Sequence, residues 1–213
     1  VLIFSLKVGS KPTREATGIR QADTDVLVLG AGPAGCAAAI GLRRLGYRVS
    51  LVHSLRPGPT CEGISARALA GLRQAGLHAA AELATTPGPR QVVWNETSTD
   101  QNIEYLLLRE PFDRALLADA AEAGVNLISG RVRSVTSCAD QYSQVTIACT
   151  DSDREVSRRA RFLVEARGRG APAGRSSSSR IRGPGSVALL QTRQSQPCEP
   201  HSKLCSFAEG WAW

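Results

Sequence analysis

Methionine is absent from all 213 residues, and only Lys7, Lys11 and Lys203 of the 26 basic residues are lysine. With no Met at position 1, the sequence is expected to be a fragment or a chain whose first residues were not recorded. The formal net charge of +7 is therefore carried by arginine, while aromatic residues make up 5%. A nucleic-acid surface clusters its cations and interleaves aromatic platforms. These arginines are scattered through helix-like and strand-like segments without such platforms, so no nucleic-acid partner is expected. No apolar run approaches the ~20 residues of a membrane span. Val1 to Val8 lacks the basic start and small-residue cleavage site of a secretory leader. The cysteines Cys36, Cys61, Cys138, Cys149, Cys198 and Cys205 form no CxxC pair, which removes the usual zinc and thioredoxin signatures. They read as reduced, packed thiols, and a cytoplasmic location away from the membrane follows as an expectation. Cys36, beside a glycine turn, reads as filler on a helix face. His78 and His201 have no partner at metal-ligand spacing, and no Ser-His-Asp arrangement stands out, so no metal site is expected.

The remaining composition, 42% hydrophobic and 21% charged, is that of a globular chain. Residues 1–23 show no sustained period and read as a loose arm. Val26 to Leu29 is a continuous apolar run, the pattern of a parallel strand buried on both faces. A glycine turn follows, then a helix over 34–45 closed by Gly46 and a second strand over 47–52, which together make a βαβ unit. A loop over 56–64 leads to a helix over 65–76 with Ser65 as its N-cap. A loop over 85–90 precedes strands at 91–94 and 103–108. Pro111 opens a helix that ends near Gly124. Strands are predicted at 125–128, 131–137, 143–149 and 161–166, the middle two antiparallel. Residues 168–185 are loop, and 186–192 and 203–213 are extended.

The chemistry-bearing motif is Gly30-Ala31-Gly32-Pro33-Ala34-Gly35, a GxGxxG between a buried strand and a helix. In that setting Gly30 permits the turn, Gly32 lets backbone approach a pyrophosphate, and Gly35 lets helix and strand pack closely. The helix N-terminus adds partial positive charge where the anion would sit. The acidic residue usual at the end of the second strand is His53 here. An imidazole offers a ribose hydroxyl a single hydrogen bond, and an exposed His53 without a role is the alternative.

Residues 25–52 resemble the N-terminal FAD segment of the flavin monooxygenases and flavin-dependent halogenases of the aromatic-hydroxylase fold. Three further stretches are similar in order and spacing: Glu62 to Leu69, Arg109 to Leu117 (R-x-x-F-D-x-x-L), and Phe162 to Arg169, where Ala-Arg-Gly-Arg stands for the family's Ala-Asp-Gly or Ala-Thr-Gly. That variant, with the terminal Gly210-Trp211-Ala212-Trp213, is most similar to accessory flavoproteins of tryptophylquinone enzymes, which modify a Trp of a partner protein. Gly-Trp-x-Trp also begins the halogenase signature. The resemblance covers residues 24–213.

The resemblance implies an α/β fold: a Rossmann-like FAD-binding domain over 24–90 and 109–182, with part of a mainly antiparallel substrate-domain β-sheet over 91–108 and 183–213. It implies FAD as cofactor, reduced by NAD(P)H or a separate flavin reductase. Hydroxylation of an aromatic ring, in a small molecule or a Trp-containing partner protein, is the expected reaction. A flavin-dependent halogenase and an inactive FAD-domain fragment are the alternatives. Halogenases of this type use a lysine near the substrate, and none lies between positions 12 and 202. Gly30, Gly32, Pro33, Ala34, Gly35 and His53 are expected at the cofactor. Arg109 reads as an FAD contact or as a helix-start surface cation. Arg167 and Gly168 follow from the family's loop, with Arg167 either forking a phosphate or facing water. Trp211 and Trp213, on one face of a strand, line the substrate boundary or pack as sheet core. The catalytic residue is not assigned.

Overall fold

A computed structural model describes residues 2–3, 24–54, 60–84, 87–138, 141–150, 152–168, 171 and 201–213. The predicted strand over 186–192 and most of the loop over 168–185 lie outside them. The first sheet contains β1 (Leu2–Ile3), β2 (Thr24–Leu29), β3 (Val49–His53), β7 (Asn126–Ser137), β8 (Ser143–Cys149) and β9 (Glu155–Glu165). β9, β2, β3 and β7 run parallel, while β8 pairs antiparallel with both β7 and β9. The strands β2, β3, β7, β8 and β9 therefore close a ring of pairings. β1 pairs antiparallel with the outer side of β9, so the arm expected over 1–23 contributes an edge strand.

Ring closure explains the apolar run of β2. Leu27 and Leu29 point inward with Val52, Ile128, Val145, Ile147 and Ala160, and Val26 and Val28 point to the helices. A strand covered on both faces needs apolar residues at both parities. Each fully buried Val or Leu contributes roughly 1.5–3 kcal/mol.

The helical layer comprises α1 (Pro33–Arg44), α2 (Ala66–Ala75), α3 (His78–Glu82) and α4 (Arg109–Glu122). Ser65 caps α2, its Oγ accepting from the Ala68 amide at 3.2 Å, and Gly76 ends it at φ 88°. α3 is unforeseen in the sequence because its cap is remote. The buried Asp119 carboxylate on α4 accepts from the amides of Ala79 and Ala80, each at 3.0 Å.

The second sheet has the order β11-β10-β5-β6-β4: β11 (Gly210–Ala212), β10 (Ser202–Phe207), β5 (Gly88–Trp94), β6 (Thr97–Leu108) and β4 (Cys61–Ser65). β10 runs parallel to β5, and the other pairings are antiparallel. β4 replaces the end of the loop expected over 56–64; its pairing with β6 makes it a strand despite its weak apolar period. The two strands expected at 125–128 and 131–137 are the single β7, which passes through Gly130. A Cβ there would lie 2.6 Å from the Ala148 carbonyl oxygen, so glycine keeps the pairing with β8 intact.

Candidate functional site

The chain leaves β2 at Leu29 and turns sharply. The Gly30 amide donates to the Val52 carbonyl at 3.0 Å, and Gly30 sits at φ 105°. Such a φ is unfavourable for an L-residue, and a Cβ would also approach the Ala166 carbonyl oxygen to 2.6 Å. A Cβ on Gly35 would overlap the Gly30 carbonyl oxygen. Gly32 differs: it is extended, at φ −72° and ψ 177°, and a Cβ on it would meet nothing within 4 Å. The fold therefore needs glycine at 30 and 35, whereas at 32 a side chain would only intrude on open space.

That space is the start of a ligand cradle. Gly32 N-caps α1 without a side-chain hydrogen bond, Pro33 occupies the first turn, and no acidic residue follows. The first intrahelical bond is Cys36 amide to Gly32 carbonyl, so the amides of Ala34 and Gly35 precede the helix's own acceptors. Cys36 is fully buried, its thiol donating to the Ala31 carbonyl at 3.4 Å. Burial, joined by the charges of Asp113 and Asp119, pushes that thiol up to about 12, which suits packing and not nucleophilic chemistry.

The turn opens into a cleft of about 630 Å³ at the C-terminal ends of β2, β3 and β9. Its walls are residues 30–34, 52–54, 130–132 and 166–168, with Arg109, Asp113 and Leu117 from α4. Gly30, Gly32, Pro33, Ala34, His53, Arg109, Arg167 and Gly168 thus line one space, and Gly35 packs directly behind it. Arg109, 12% exposed in its side chain, begins α4 over the Phe112 ring and is held by Glu62 at 2.9 Å and Asp113 at 2.6 Å. Arg167 turns its fork to Glu165, with Nε 2.8 Å and Nη2 2.5 Å from the carboxylate oxygens. Both arginines reach the cleft with their charge already matched by carboxylates.

Trp211 and Trp213 lie at the β11 edge of the second sheet, 60% and 43% exposed, and neither lines the cleft. The sequence reading passes over Asp113, Glu165 and Arg131. The i, i+4 spacing of Arg109 and Asp113 is the one signal that could have found any of them. Among the described residues no group of metal-ligating side chains forms, and no helix is long and apolar enough to cross a membrane.

A glycine turn requiring residues 30 and 35, an open position 32 and a bare helix N-terminus at the mouth of the cleft fit the pyrophosphate of a dinucleotide. The family model described as FAD binding domain matches residues 23–206. The chain belongs to that family. Its cofactor is FAD, and solved structures of flavoproteins match its fold. A peptidyl tryptophan dihydroxylase, QhpG, essential for tryptophylquinone cofactor biogenesis, is 45% identical, with a TM-score of 0.70 over 89% of this chain and 42% of that one. The flavin-dependent halogenase CmlS is 20% identical with a TM-score of 0.58 over 72% of this chain and 30% of its own, a likeness of fold alone. Digeranylgeranylglycerophospholipid reductase 1 of Methanothermobacter thermautotrophicus is 30% identical over 68% of this chain and 39% of its own. The enzyme of that name from Methanothrix thermoacetophila is 34% identical over 49% and 29%. The chain thus spans less than half the length of each.

Proposed function

We propose that these residues form the FAD-binding front portion of a monooxygenase that hydroxylates an aromatic ring, with a Trp side chain of a partner protein as the substrate. The observation that carries this reading is the 45% identity to a peptidyl tryptophan dihydroxylase, which extends over 89% of the chain and both sheets. The similarity to the reductases is weaker and covers less of the chain.

In this reading the amides of Ala34 and Gly35 receive the pyrophosphate, and Gly32 leaves room for it. Pro33 begins the helix with φ already suited to it. His53 meets the adenosine ribose, while Arg109, Arg167 and Gly168 border the rest of the cofactor. The ion pairs to Glu62, Asp113 and Glu165 keep both guanidinium groups in place and limit the cleft's excess positive charge. Reduced FAD, with NAD(P)H or a separate flavin reductase as the electron source, supplies oxygen activation for attack on an electron-rich ring. Lys203, the sole lysine among the described residues, is on β10 and lines neither the cleft nor the smaller cavity beside α2, which counts against a halogenase.

The test uses the full-length protein with FAD, an electron donor, oxygen and a Trp-containing partner peptide. A mass gain of one or two oxygen atoms on the Trp ring is expected. Bromide-dependent mass gain, or reduction of a prenyl lipid with no oxygen gain on Trp, would replace the proposal.

A further inference from the structure

The adenosine end of the cleft has an unusual charge. In a dinucleotide fold the residue at the tip of the second strand faces the ribose 2′-hydroxyl, and a carboxylate there accepts from it and repels a 2′-phosphate. His53 occupies that tip and lines the cleft. It pairs with Ser129 on β7, and Arg131, two residues along, shares that face by strand alternation and also lines the cleft. Arg131 is exposed and, among the described residues, is in no ion pair.

The carboxylates near the cleft are committed elsewhere. Asp113 holds Arg109 at the α4 side, and Glu165 holds Arg167 at the end of β9. None of the residues lining the β3–β7 side is acidic. An imidazole and a guanidinium on adjacent strands give this end two donors and positive charge, an arrangement suited to a phosphate and not required by a hydroxyl.

We infer that the adenosine end of this cleft accepts a 2′-phosphate, so that 2′-phosphoadenosine nucleotides compete with FAD for it. The inference rests on the cofactor reading above and adds a ligand class to the same site. A 2′-phosphorylated dinucleotide would then occupy protein that has not yet taken up its flavin.

The experiment displaces FAD from the full-length protein, followed by the fluorescence of released flavin, with AMP, 2′,5′-ADP and 3′,5′-ADP in parallel. 2′,5′-ADP is expected to compete on the order of tenfold better than AMP, which lacks only the 2′-phosphate, the scale of one charge-assisted hydrogen bond. It should also exceed the 3′ isomer, which carries the same charge elsewhere. H53E should abolish the preference, and R131Q, at an exposed position that leaves folding intact, should reduce it. Equal competition by 2′,5′-ADP and AMP overturns the inference while leaving FAD binding standing, as does a preference unchanged in R131Q. Failure of the protein to bind FAD at all removes the cofactor reading and this inference with it.

Discussion

Gly35 backs onto Gly30 so closely that a side-chain carbon at position 35 would overlap the Gly30 carbonyl oxygen. Two glycines of the turn are thus demanded by packing, and the third, Gly32, faces open space. Substituting alanine separates the roles. Gly30→Ala, with φ 105° and a close approach to Ala166, should cost about 2 kcal/mol or more of stability. Gly35→Ala should be at least as damaging. Gly32→Ala should change stability by less than about 1 kcal/mol yet weaken FAD binding on the order of tenfold, because the new methyl group occupies the cradle. Urea unfolding and flavin titration on the same proteins distinguish the two effects.

Asp119 holds α3 from another helix. Because its carboxylate takes two amides in a buried position, Asp119→Ala should destabilise by about 1–2 kcal/mol. Asp119→Asn keeps one acceptor and should fall between the variant and the parent. Equal urea midpoints for all three would show that α3 needs no such cap.

The Asp25–Arg48 pair should appear in acid titration. The Arg48 hydrogen bond holds the Asp25 carboxyl below its ordinary 3.8. A depressed folded value means stability that is present above 3.8 and is lost as pH falls through the folded value. Asp25→Asn should therefore cost less than about 1 kcal/mol near neutrality, the pair being part-exposed, and nothing at strongly acid pH. Parent and variant stability curves, measured by denaturant from neutral to acid pH, should converge on acidification.

Glu104 is the buried polar centre of the second sheet, taking Ser202 Oγ at 2.5 Å and Arg90 Nη1 at 3.2 Å. Glu104→Ala strands both partners and should destabilise by about 2 kcal/mol or more, against about 1 kcal/mol for Ser202→Ala. Gly63→Ala should also be harmful, since the added carbon meets the Glu104 carboxylate. Thermal unfolding gives the order; a silent Glu104→Ala would show that the cluster is dispensable.

What could be read beforehand were features written in neighbouring residues. The apolar run of β2, the glycine turn, Ser65 as a cap and Gly124 after α4 all act within a few positions, and each stands where expected. Features that depend on distant partners were hidden. α3 needs Asp119, β4 needs β6, and Gly130 looks like a break until β8 is laid beside it. The site divides the same way. His53 and the glycines follow from spacing, and Asp113 lies one helical turn from Arg109, but Glu62 reaches Arg109 only through tertiary geometry.

The parallel pairing of β10 with β5 ties Ser202 to Arg90 across more than half the chain. Such a contact closes late in folding, since its loop is long. Until it closes, β5 presents a bare ladder of amides and carbonyls beside Val92, Val93 and Trp94, a template for strands of other molecules. Newly made protein would be most prone to aggregate in that interval, and truncation ahead of β10 would make the hazard permanent.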